Sequence, residues 1–400
     1  MMVRVMIFVG VLLGLLATFE LQAESRDRYE IHFEAEFRPG SADALVTVAV
    51  DQTHGALKQL SFAALDEHFK LLTGRVKREN ERTIWHVPRT GGEVQWRYKV
   101  DRLRGQQQRF EARMTSDHII ARLDDVFPNA RARTKKGALG TAELSVSGPD
   151  AWSFESPFGP MTETIAISMN GRKYGRPSGW LIGGELSRRR EEIAGAIVTV
   201  SSPKGIDARP MERLNFLQYT LPTLAEYLPM PERVSVVVVP DSMWRGAISG
   251  PNSIYINKGR PAVSENGTST ILHELAHVAG LHSAADGDDW IAEGMAEYLS
   301  VLTLFESGGM SQSRFDRVIA GLKSWVTKED GRLADPSRGA NTAAAVVLFD
   351  QLRVELNSRE DGFLQLVGQL NQCQPISSAC LSKVAESILG RPSQVLAERP

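Results

Sequence analysis

At 400 residues the chain is longer than one hydrophobic core ordinarily organises, so two or three domains are expected. Its 42% hydrophobic and 24% charged residues are the composition of a soluble globular protein. A net charge of −2 and the lack of any long Lys/Arg run argue against a nucleic-acid partner, which needs a concentrated cationic surface.

In chain order, Arg4 precedes an apolar run from Val5 to Phe19 that only Thr18 interrupts, and Leu21-Gln22-Ala23 offers a small residue before a cut at Glu24. This reads as a signal peptide over residues 1–23, directing the protein to the periplasm or the extracellular space. An uncleaved signal acting as a membrane anchor is the alternative. No later segment is long and apolar enough to span a bilayer.

Residues 24–165 read as a β-rich N-terminal domain. Tyr29 to Phe37 alternates apolar and polar residues with a period of two. The theme recurs at Ala44 to Val50, Thr83 to Val87, Val94 to Val100 and Ala142 to Val146, with turn signals such as Pro39-Gly40 between. Such a series suggests a sandwich-like module. The short cluster Arg188-Arg189-Arg190 reads as a solvated helix face. Strands are then expected at Ala196 to Ser201, Arg233 to Pro240 and Ser253 to Ile256, and a helix from Pro210 to Leu228 with a kink at Pro222. Helical spacing dominates from Thr268 on, including Leu322 to Val326, Thr342 to Leu356 and Gly362 to Leu370. The chain is thus a multidomain α+β protein: a β module over 24–165, a mixed region over 166–310 and an α-helical C-terminal region over 311–400. Cys373 and Cys380 are close enough to form one local disulfide in an oxidising compartment, two buried thiols being the alternative.

The chemistry concentrates in His273-Glu274-Leu275-Ala276-His277. On a helix, residues four apart share a face, so both imidazoles can bind one Zn²⁺. Glu274 is placed to take a proton from a metal-bound water and return it to a leaving amine. Gly280 is suited to end the helix. A third ligand is needed. Glu293 lies 16 residues after His277 in Trp290-Ile-Ala-Glu-Gly-Met-Ala-Glu-Tyr298, far enough for a reversing loop over 282–288 and a second helix. Glu297, one turn beyond, is a candidate to orient a histidine through its other ring nitrogen. His282 is the rival third ligand, because Gly280 and the residues after it nearly match the metzincin extension. That motif would place its ligand at position 283, which is Ser.

With these residues in place, the chain resembles the gluzincin metallopeptidases, and among them the aminopeptidase N and glycyl aminopeptidase families. The resemblance implies a β-sandwich-like N-terminal domain, a thermolysin-like α/β catalytic domain and a helical remainder. It also implies one Zn²⁺ per chain on His273, His277 and Glu293, Glu274 as base, and a peptide or protein substrate. The chain departs from the family pattern in three places. The stretch from His277 to Glu293 is a few residues shorter. The segment Arg245 to Asn252 lacks the Glu that holds a substrate's free α-amine. The helix expected near Arg338-Gly-Ala-Asn341 lacks the Tyr that stabilises the oxyanion, while Tyr298, five residues past Glu293, points away from the metal. His282, Tyr255 and Arg338 are the candidate substitutes. The expectation is an exported zinc peptidase, endo- or exo-acting; the alternative is a weak or inactive zinc protein serving as a binding scaffold. Oligomeric state is not legible.

Overall fold

A computed structural model describes residues 27–398 except 64, 106, 107 and 282. The expected signal segment at 1–23 and the candidate His282 lie outside the described residues. The chain forms two compact units. One holds the residues up to Arg104 together with Phe110–Phe154 and Pro160–Glu185; the other holds Gly105–Arg109, Glu155–Gly159 and Leu186 onward.

The first unit is built from the strands that period-two alternation marks. Arg28–Arg38 pairs antiparallel with Asp43–Asp51 and parallel with Leu139–Ser147, and Asp43–Asp51 pairs with Gly92–Lys99. The inward set Tyr29, Ile31, Phe33, Ala35 and Phe37 is buried, while Glu34 and Glu36 are exposed. Trp96 of this sheet meets Phe62, from the sheet containing Leu57–Phe62 and Arg82–His86, edge-on with ring centroids 4.9 Å apart. Such ring pairs add about 0.5–1.5 kcal/mol beyond the area that they bury. The unit runs past the boundary expected at 165. Trp180–Gly184 is buried throughout and pairs antiparallel with His118–Arg122, a non-local pairing that local patterning does not reveal.

The second unit centres on a five-stranded sheet ordered β1-β2-β3-β5-β4: β1 (Leu186–Ile193), β2 (Ala196–Pro203), β3 (Arg233–Val239), β4 (Ala247–Gly250) and β5 (Ser253–Asn257). Arg188, Arg189 and Arg190 lie on β1, an edge strand paired antiparallel with β2, and not on a helix. Charge on an exposed edge discourages further strand pairing, and three consecutive arginines hide the alternation that would have marked a strand. Helix α1 (Pro210–Tyr227) joins the parallel strands β2 and β3 and continues through Pro222. Val234, Val236 and Val238 of β3 and Ile254 and Ile256 of β5 pack into one core with the helices.

Those helices are α2 (Thr270–Val278), α3 (Asp289–Glu306), α4 (Gln312–Glu329), α5 (Ala340–Leu356), α6 (Gly362–Leu370) and α7 (Ser378–Leu389). The helices after residue 311 share the core of the residues before it. In α2, the Ser269 side chain accepts from the Leu272 amide, satisfying one of the donors a helix start leaves unpaired. Gly280 follows the helix at φ +147°, where a Cβ would lie 1.9 Å from Asn371 Oδ1, so only glycine fits. Gly294, between the two carboxylates of interest on α3, has an equally direct role. A Cβ there would come within 2.2 Å of the Ala345 Cβ, so α3 and α5 touch backbone to methyl.

Gly294→Leu should destabilise the protein by about 1–3 kcal/mol through overpacking, while Met295→Leu at the next, fully buried position should cost less than about 1.5 kcal/mol. Urea unfolding of the two variants makes the comparison.

Candidate metal centre

Helix α2 carries His273, Glu274 and His277; α3 carries Glu293 and Glu297. The two histidines are one turn apart, and their Nε2 atoms converge to 3.2 Å. Glu293 completes a triangle, with Oε2 3.4 Å from His273 Nε2 and Oε1 3.5 Å from His277 Nε2. Ligand atoms at about 2.0–2.1 Å from a tetrahedral cation stand about 3.3–3.4 Å from one another. The triangle therefore has the size that one divalent ion requires. Among the described residues, these three side chains form the group of acidic, His or Cys donors close enough to share a metal.

The outer ring nitrogens fix how the imidazoles face. His273 Nδ1 donates to Glu297 Oε2 at 2.9 Å, and His277 Nδ1 donates to the Leu281 carbonyl. With both Nδ1 atoms protonated, both Nε2 lone pairs are directed at the common point. Glu297 is one turn beyond Glu293, so α3 presents both carboxylates on one side. Tyr298 is turned away: its hydroxyl donates to Asp350 at 3.1 Å and accepts from Arg353 at 2.6 Å.

Burial opposes charge on His273, yet its hydrogen bonds to Glu293 and Glu297 prevail and raise it to about 10. Burial, and then the charge on His273, hold His277 below the usual histidine range. For Glu293 burial works upward, but the hydrogen bond from His273, followed by the charges of His277, His273 and Arg338, lowers it. The cluster thus holds a proton where a cation would sit, so metal binding displaces it and weakens as pH falls.

Glu274 is only 8% exposed, and its Oε2 accepts from the Ser249 amide at 2.7 Å. Ser249 belongs to β4, the edge strand, so the carboxylate sits between the histidines and a strand edge. Tyr255 is not brought to this place. It lies on β5 between Ile254 and Ile256, whose side chains pack with the helices, so alternation sends its ring to the opposite face. There its hydroxyl donates to the Trp244 carbonyl at 2.9 Å.

Sequence patterning alone did not reveal the clamp on the connector between α2 and α3. The Ile376 amide donates to the Ser283 carbonyl at 2.7 Å, and the Ala285 amide donates to the Ile376 carbonyl at 2.8 Å. Asn371 Nδ2 donates to the Ala279 carbonyl, and Asp288, the residue before α3, accepts from the Ser378 amide at 3.0 Å. Cys373 and Cys380 are bonded and close the loop that carries Ile376. The disulfide was legible in the sequence; the ten-residue connector that its loop holds was not. On the other side, Gly287 N–H donates to Asp335 and Ser337 N–H to Asp289. These bonds tie the segment bearing Arg338 to the first turn of α3.

No family model matches the chain, and no curated protein matches it. Solved structures do. An M1 zinc metallopeptidase from Deinococcus radiodurans matches with a TM-score of 0.61 at 17% identity, over 93% of this chain and 92% of that one. The chain shares this enzyme's fold. A variant of that peptidase bound to a Tyr-Ser-Ala substrate matches with a TM-score of 0.58 at 17% identity, over 93% and 92% of the two chains. An aminopeptidase N family protein from Idiomarina loihiensis matches with a TM-score of 0.59 at 12% identity, over 90% of this chain and 71% of that one.

Replacing both cysteines (Cys373→Ser with Cys380→Ser) frees the loop that holds the connector. The variant should bind zinc at least about 10-fold more weakly, as losses of groups supporting metal ligands do. Competition with a chromogenic chelator measures this directly.

Proposed function

We propose that the protein is a zinc-dependent peptidase acting in an oxidising compartment, the periplasm or the extracellular space. The observation that carries this reading is the triangle of donors at 3.2–3.5 Å on His273, His277 and Glu293, with both outer ring nitrogens engaged. The shared fold with M1 zinc metallopeptidases, one of them bound to a Tyr-Ser-Ala substrate, supports it. The Cys373–Cys380 bond supports the compartment, since disulfides persist mainly in oxidising surroundings. No helix among the described residues is long and apolar enough to cross a membrane.

The residues divide the work as follows. His273, His277 and Glu293 would hold one Zn²⁺, while Glu297 and the Leu281 carbonyl keep the rings aimed. When bound, Zn²⁺ polarises the scissile carbonyl and lowers the pKa of its water. Glu274, aligned by the Ser249 amide, would take a proton from the attacking water and deliver it to the leaving nitrogen. The edge strand β4 offers main-chain groups to an extended peptide. Its sequence Ala-Ile-Ser-Gly contains no carboxylate for a free α-amine, which favours cleavage that does not depend on the substrate's N-terminus. Arg338 is the candidate for stabilising the oxyanion: its charge acts on Glu293, and its segment is tied to the start of α3.

Purified protein should contain about one zinc per chain and hydrolyse peptides until a chelator removes the metal. Glu274→Gln should keep the zinc and lose about 10²–10⁴ in kcat, the usual scale for a proton-transfer group. Full activity in that variant would contradict the assigned base. A chain that binds zinc stoichiometrically but turns over no peptide would instead favour the scaffold reading. Arg338→Gln should also retain zinc and lower kcat by about 10²–10³, read from steady-state kinetics on the same peptides.

A further inference from the structure

A cavity of about 610 Å³ opens beside the metal centre, and Glu297 is part of its wall. This is the carboxylate that accepts from His273 Nδ1, so the cavity begins one side chain away from the proposed zinc ligands. The rim opposite includes Glu265 and Thr268, from a turn in which the Ser264 amide donates to the Thr268 carbonyl and the Gly267 amide to the Ser264 carbonyl. Gly267 packs so tightly on α4 that a Cβ would come within 2.6 Å of Val318.

Much of the remaining wall is α4, where Arg314, Arg317, Gly321 and Trp325 are spaced three or four apart so that they share a face, beside Val318 and Leu322. Gly321 leaves space there, since a Cβ would meet nothing within 4 Å. Trp325 is 43% exposed. A Cβ on Gly339, the residue after Arg338, would lie 3.8 Å from its ring, so the far end of the wall adjoins the Arg338 segment. Arg314 and Arg317 are exposed, and neither side chain makes an ion pair or hydrogen bond among the described residues. The cavity's own carboxylates do not neutralise these two cations, and Glu297 is already engaged by His273.

We propose that this cavity is a specificity subsite of the peptidase and takes a carboxylate of the peptide substrate on Arg314 and Arg317, with Trp325 as its apolar wall. A guanidinium presents a planar fork of donors that fits a carboxylate, and a charge-assisted pair of this kind is stronger than a neutral hydrogen bond. The carboxylate can come from the substrate's own C-terminus or from an Asp or Glu side chain. The inference rests on the peptidase reading, whose substrate class it narrows to short or acidic peptides.

The test uses four peptides of one sequence: Glu or Gln at one position, each with a free or an amidated C-terminus. Two readouts are taken: kcat/KM with the zinc-loaded protein, and calorimetric binding to the Glu274→Gln variant. Peptides bearing the recognised carboxylate should bind at least 10-fold more tightly than their neutral counterparts, mostly as a difference in KM. That ratio should fall toward one in Arg314→Gln/Arg317→Gln and be partly retained in Arg317→Lys. Loss of preference on amidation identifies the C-terminus as the source; loss on Glu-to-Gln exchange identifies the side chain. Equal binding of all four peptides, or a preference that survives the double replacement, overturns the subsite. Hydrolysis without preference removes the subsite and leaves the peptidase standing; preferential binding without hydrolysis does the reverse.

Discussion

Two imidazole nitrogens and a carboxylate meet within 3.5 Å of one another, in a place where burial penalises every one of their charges. Without a shared cation or proton such an arrangement is costly, because lone pairs and partial negative charge face each other away from water. Much of the second unit can be understood as holding that cluster together. Ser269 starts α2, Gly280 ends it, and Gly294 lets α3 sit directly against α5. Glu297 and the Leu281 carbonyl then set both rings. A small loss of alignment in any of these would spread the donors beyond bonding distance of a single ion.

The parts of the site that were legible in the sequence are the local ones. The four-residue interval between His273 and His277 determines a shared helical face, and the same rule relates Glu293 to Glu297. The strands of the first unit were legible for a similar reason, since Tyr29 to Phe37 carries its own period. What local patterning missed depends on contacts between distant segments. Trp180–Gly184 joins the first unit because it pairs with His118–Arg122, and nothing near residue 180 announces that partner. Arg188 to Arg190 belong to an edge strand whose alternation is masked by charge. Tyr255 had the right chemistry and sits next to the right strand, but alternation along β5 turns its hydroxyl toward Trp244.

The short connector between α2 and α3 is held by main-chain partners from a distant part of the chain. A ten-residue connector leaves little slack between the helices, and the disulfide-closed loop supplies main-chain partners to Ser283 and Ala285, with Ser378 bonding Asp288. Edge strand β4 has no acidic side chain but reaches Glu274 through the Ser249 amide. Arg314 and Arg317 line the cavity beside Glu297, and the charge of Arg338 acts on Glu293.

Anomalous diffraction at the zinc edge from crystals of the metal-loaded protein tests the central claim most directly. The account predicts a single strong peak about 2.0–2.1 Å from Nε2 of both His273 and His277 and about 2.0–2.2 Å from a Glu293 carboxylate oxygen. A peak elsewhere in the chain, or one bonded to the histidines with Glu293 beyond coordination distance, would contradict it.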